Sequence, residues 1–165
     1  MDFKLYVITG KENAGKTNTC WNLLRKLKED IDYVEYWELK SADAHFDTTR
    51  QVYLNKEELT CDFIIIFRTK IFHKKIAIIS AGDEAWLLKK DIFYMLSKDV
   101  THIVCCSRTV NRHNSTARML ETYFKKYIAW SKEVVFTKDN IVLKQKYEEE
   151  ISEIIYQQFK KSSIL

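Results

Sequence analysis

Proline is absent from the chain, and glycine occurs only three times in 165 residues. Such a sequence is not collagen-like, and it has no Gly/Ser-rich or Pro-rich linker to divide it. It also has no run of about eighteen apolar residues, which excludes an ordinary membrane-spanning helix. Four cysteines occur, Cys20, Cys61, Cys105 and Cys106, and their spacing fits neither a zinc site nor a C-x-x-C redox pair. Cys105 and Cys106 lie in an apolar run and read as small buried residues. A reducing, cytoplasmic setting is expected. The opening "MDFKLYVITG" lacks a charged leader followed by a long apolar stretch, so it reads as a first strand and not a signal peptide.

An excess of charge of one sign is also slight. The net charge is +4, and the lysine pairs are scattered. That pattern suits solvated faces better than a nucleic-acid surface. With 46% hydrophobic and 30% charged residues, the composition is that of a globular protein. The length suits one domain over residues 1–165 with a sizeable core.

Periodicity predicts strands at Phe3–Thr9, Tyr33–Leu39, Cys61–Phe67, Lys75–Ser80, Thr101–Ser107 and Glu133–Thr137. Helices are expected at Gly15–Glu29, Asp83–Ser97, Ser115–Lys126 and Ile141–Lys161, with a further short one near Thr49–Asn55. Glu148, Glu149 and Glu150 toward the start of the last helix, and Lys160 and Lys161 at its end, are read as matching the helix dipole. The strands at 61–67 and 75–80 are too close for a crossover helix, so an antiparallel hairpin is expected over about 61–80. The remaining alternation predicts an α/β three-layer sandwich with a mostly parallel sheet. Trp21, Trp37, Trp86 and Trp130 all fall in apolar patterns and are expected to anchor the core, as are Leu120, Tyr123 and Tyr127.

Two of the three glycines lie in Gly10-Lys11-Glu12-Asn13-Ala14-Gly15-Lys16-Thr17, a complete G-x-x-x-x-G-K-[ST] between a predicted strand and a predicted helix. Glycines let such a loop turn tightly and present backbone N–H groups to phosphate oxygens. The helix start adds free N–H groups. The octet resembles the phosphate-binding loop of the P-loop NTPase superfamily. The resemblance implies that Gly10 to Asn18 hold a nucleotide. It further implies that Lys16 contacts the β- and γ-phosphates and that the Thr17 hydroxyl ligates Mg²⁺.

Members of that superfamily usually carry an acid at the C-terminal end of an apolar strand, held near Mg²⁺. Asp62 stands at the wrong end of "DFIIIF", so Asp83 is the preferred choice, with Ser80 and Glu84 as alternatives. Asp83 could equally cap the following helix. "SAGDE" also holds the third glycine, which points to a backbone constraint there. GTPase signatures (D-x-x-G, N-K-x-D) are missing, so ATP is preferred over GTP. Lys11 stands where dimerising ATPases of the partition and septum-site type carry a signature lysine. Glu12 and Asn13 replace their glycine pair, so a solvated lysine is favoured and a homodimer stays an open alternative.

Arg108, Arg112 and Arg118 follow a strand that should end beside the loop. In the small kinases that this chain resembles in size and layout, arginines grip the transferred phosphate. Arg108 is the first choice. "DAHFD" (Asp43, His45, Asp47) reads as a polar turn, and Glu38 as either a substrate contact or a solvated residue. The sequence points to an ATP- and Mg²⁺-dependent phosphotransferase acting on an unidentified small molecule or protein. The alternative is an ATP-driven switch without kinase activity. A nucleic-acid-associated ATPase ranks last.

Overall fold

A computed structural model describes residues 2–12, 14–40, 61–109, 115–134 and 140–165. Among these, six strands form one mixed sheet flanked by four α-helices. The strands are β1 (Lys4–Gly10), β2 (Ile31–Lys40), β3 (Asp62–Thr69), β4 (Lys75–Ile79), β5 (His102–Arg108) and β6 (Ile128–Glu133). The helices are α1 (Lys16–Leu27), α2 (Ala85–Ser97), α3 (Thr116–Phe124) and α4 (Ile141–Lys161). Across the sheet the order is β2-β3-β4-β5-β1-β6. β4, β5, β1 and β6 pair in parallel, while β3 runs antiparallel to both its neighbours, β2 and β4. The expected hairpin over 61–80 is therefore present.

Side chains alternate across a strand, so an apolar run feeds two cores. Tyr6, Ile8, Phe63, Ile65, Phe67, Ile76, Ile78, Val104 and Cys106 pack toward α1 and α4. Leu5, Val7, Ile64, Ile66, Ala77, Ile79, Ile103 and Cys105 pack toward α2 and α3. The sheet thus lies between two helical layers. All four cysteines are free; Cys105 and Cys106 are buried, as their apolar run implied, and so is Cys20.

Several expectations change. Among the described residues the last strand lies at Ile128–Glu133, and most of the strand expected at Glu133–Thr137 lies outside them. β6 is an edge strand with mostly exposed residues, so it lacks the apolar run that marks its neighbours. "VVF" carries that pattern instead, and Val134 spends its apolar side chain in the core just after the strand has ended. Trp21 is buried and Trp37 and Trp130 pack at the margin of the core, but Trp86 is 65% exposed. Leu88, Ile92, Met95 and Leu96 form the inward stripe of α2, leaving Trp86 and Phe93 outside. On α3, Leu120 is buried and Tyr127 stacks on Phe3, whereas Tyr123 is exposed.

The three glutamates of α4 do not serve its dipole either, since its first turn holds no acid. Glu149 pairs with Lys26, Glu150 with Lys132, and Glu148 is buried. The short helix expected near Thr49–Asn55 lies outside the described residues.

Candidate functional site

β1 is the second strand from one side of the sheet and delivers the glycine loop to the edge where β4 and β5 also end. Gly10 lies opposite Arg108 in the parallel register. In open α/β sheets this carboxyl edge is where ligands bind. Gly15 precedes α1 with φ of 99°, a left-handed conformation that glycine adopts without steric penalty. No side chain caps α1. Its first N–H groups therefore remain as donors at the positive end of the helix.

Lys16 is only 8% exposed. Its Nζ donates to the carbonyls of Gly10 (3.1 Å) and Lys11 (2.9 Å), which folds the loop back over its own lysine. Thr17 points across the cavity and donates its hydroxyl to Asp62 Oδ1 at 2.6 Å. Ser80 donates to the same oxygen at 3.2 Å while accepting from the Phe63 backbone N–H at 2.7 Å. Three oxygen-bearing side chains from α1, β3 and the end of β4 thus meet at one point. Around them lies a cavity of about 420 Å³, lined also by Glu12, Ala14, Gly15, Lys16, Asn18, Cys61, Gly82, Asp83 and Lys144.

Asp62 corrects the choice of acid nearest the loop. It begins its strand, but that strand is antiparallel, so its start lies at the edge where the parallel strands end. The hairpin inference contained this reversal, because turning a strand around exchanges its ends. Asp83 does line the cavity, yet it is not directed at Thr17. Its Oδ1 accepts from Arg108 Nε at 2.8 Å, and Arg108 Nη2 lies 3.8 Å from Glu12. The Arg108 hydrogen bond holds the Asp83 carboxyl below the usual carboxylate range, and the same bond raises Arg108. Neither Asp83 nor Glu84 caps α2 through its side chain.

Gly82 satisfies the expected backbone constraint by close approach. An added Cβ would collide with the backbone carbonyl of Cys106.

Of the other expected residues, Ala14 and Asn18 line the cavity and Lys11 is exposed. Arg118 lines a neighbouring cavity with Glu84, and Glu38 accepts from the Tyr36 phenol at 2.6 Å away from the loop. Asn13, Arg112, Asp43, His45 and Asp47 lie outside the described residues.

Two residues of α4 were not anticipated. Lys144 contributes a cation to the cavity wall. Glu148 is 4% exposed and hydrogen-bonds Asn18, while its Oε1 has no hydrogen-bond partner. Desolvation pushes its carboxyl above the usual glutamate range. A Cβ on Gly15 would meet this carboxylate, so the left-handed φ favours glycine and any other residue would also have to displace the Glu148 side chain.

The described residues contain no cluster of three His, Cys, Asp or Glu side chains able to hold a metal. One carboxylate and two hydroxyls are hard oxygen donors that suit Mg²⁺ but are too few to hold it alone. Such a set fits a cation that arrives with phosphate oxygens and water. No described helix is long and apolar enough to cross a membrane.

Comparison with known proteins finds no matching family model, no matching curated protein and no matching solved structure.

Proposed function

We propose that the chain is a P-loop nucleotide-binding protein that binds ATP with Mg²⁺ and transfers its γ-phosphoryl group to an acceptor. The observation that carries this reading is the meeting of Thr17, Asp62 and Ser80 beside Lys16 at the mouth of the glycine loop. Residues 45 positions apart bring a hydroxyl and a carboxylate together at 2.6 Å. A loop serving only as a turn would not require that convergence.

Backbone N–H groups of the loop and of the first turn of α1 receive phosphate oxygens. The Lys16 ammonium exchanges its two carbonyl partners for the β- and γ-phosphates. Thr17, Asp62 and Ser80 hold Mg²⁺, which neutralises charge on those phosphates. Asp83 orients Arg108 at the rim, where the guanidinium balances negative charge on the transferred group. ATP is favoured over GTP, and no described residue reads the base.

Calorimetric titration with ATP and Mg²⁺ tests the reading. Lys16→Ala is expected to weaken ATP by at least about tenfold, or 1.4 kcal/mol. An unchanged affinity would remove the basis of the proposal. Asp62→Asn is expected to abolish most of the Mg²⁺-dependent gain in affinity while Asp83→Asn preserves it; the reverse result would return the metal role to Asp83. A screen of metabolites with γ-labelled ATP should then reveal a phosphorylated product. Hydrolysis without transfer to any acceptor, accompanied by an ATP-dependent change in oligomeric state, would assign the chain to the switches instead.

A further inference from the structure

A second cavity, of about 640 Å³, lies between the start of α2 and the exposed side of α3. It shares Asp83 with the loop cavity, so one residue lines both. Its lining joins flat apolar surface from Trp86, Met119 and Tyr123 to the guanidinium of Arg118.

The charges around it are unequally engaged. Asp83 is bound by Arg108, and Glu84 accepts from the Trp86 indole N–H at 2.9 Å. Lys89 sits over the Tyr123 ring, 3.4 Å from its centroid. The Arg118 guanidinium has neither an ion-pair nor a hydrogen-bond partner among the described residues. The acids are thus occupied while one cation stays available, which selects an anion. The exposed indole and phenol select a ring that can stack.

We propose that this cavity is the acceptor site and that it takes a phosphate monoester carrying a flat aromatic or heteroaromatic ring. The inference rests on the phosphotransferase reading and names the substrate class for it. Arg118 lies in the first turn of α3 and Tyr123 about one and a half turns further along. The anionic end is therefore held nearer the sheet edge and Asp83, and the ring further from it. In the transfer, the bond between the γ-phosphorus and the β–γ bridging oxygen breaks, and its electron pair leaves with ADP. A new bond forms from the γ-phosphorus to an oxygen of the acceptor phosphate. A dianionic acceptor has no proton to lose, so the step needs no general base.

The test uses the full chain and NMR titration with phenyl phosphate, AMP and CMP, read at the Trp86 indole N–H. The expected result is saturable shifts at Trp86 and Thr122. Arg118→Ala should weaken binding by about tenfold, and Trp86→Ala should also weaken it. Both variants should keep ATP affinity within about twofold, since neither residue lines the loop cavity. Nucleosides lacking the phosphate should bind far more weakly than the monophosphates. The proposal is overturned if they bind equally well, if shifts appear only around Lys16 and Asp62, or if millimolar phosphates leave Trp86 unmoved. In that last case ATP binding and transfer to another acceptor would keep the phosphotransferase reading intact. Phosphate-dependent shifts at Trp86 without any ATP binding would overturn the acceptor role and the phosphotransferase reading together, leaving an anion site alone.

Discussion

The two helical layers solve different problems. Between α1 and α4, polar groups are buried and mostly matched, with Glu148 Oε1 the exception. Thr19 donates to the Gly15 carbonyl, Ser152 to the Glu149 carbonyl, and Glu148 reaches Asn18. Lys26 ties the margin of this seam to Glu149 and Glu153. The α2–α3 layer buries an apolar stripe inward and leaves Trp86, Phe93, Tyr94 and Tyr123 in solvent. Buried polar groups need defined partners, so they fix geometry. Exposed rings make only a few local contacts and leave surface available for others. The first layer holds the loop in shape, and the second offers a surface beside it.

Breaking the first layer should have the largest effect. Gly15→Ala combines an unfavourable left-handed φ with a collision against Glu148. The expected loss is about 2–5 kcal/mol, measured by denaturant unfolding. Adding Glu148→Ala should recover the collision part and leave the backbone part. If Gly15→Ala unfolds like the parent, the seam does not constrain the loop.

Glu148→Gln gives a smaller effect of the opposite sign. Burial raises the folded-state value of this carboxyl, so the folded protein binds a proton that the unfolded chain has already lost. Stability therefore falls as pH rises from the ordinary glutamate range through the raised value, and the penalty is absent below that range. The amide cannot ionise, so the variant should be more stable at neutral pH, with Tm higher by about 1–3 °C. A parallel scan in acid should show the two proteins converge. A constant difference across pH would mean that packing, and not ionisation, sets the effect.

The second layer should respond least. Trp86→Ala and Phe93→Ala should each change stability by no more than about 0.5 kcal/mol. Phe63→Ala, in the core beneath α1, is expected to cost about 3–5 kcal/mol. A large loss from Trp86→Ala would show that the exposed ring supports the fold after all.

Much of this was legible because it is local. The glycine octet, the alternation of strands and helices and the hairpin each lie within one short window. Residues whose roles depend on distant packing were harder. Trp86 follows an apolar pattern in sequence, but helix periodicity places Leu88, Ile92 and Met95 inward and turns the indole out. Glu148 read as one of three acids set for the helix dipole, since nothing near it signals Gly15, 133 positions earlier. Asp62 differs, because its signal was present in two pieces. An apolar run begins with an acid, and that run turns back on its neighbour. Joining the two moves the acid to the loop's edge without any further information.

The same wiring bears on how the protein is made. β3 and β4 pair across the short connection 70–74 and β2 joins β3 across 41–61, whereas β1 must wait for β5 and β6, which emerge about a hundred residues later. The loop leaves the ribosome well before Glu148, which backs Gly15 and belongs to α4. Until β5, β6 and α4 have followed, the glycine segment has neither its parallel neighbours nor its support. Nucleotide added to nascent chains arrested before α4 should therefore give no protection from protease, and protection should begin once that helix is free.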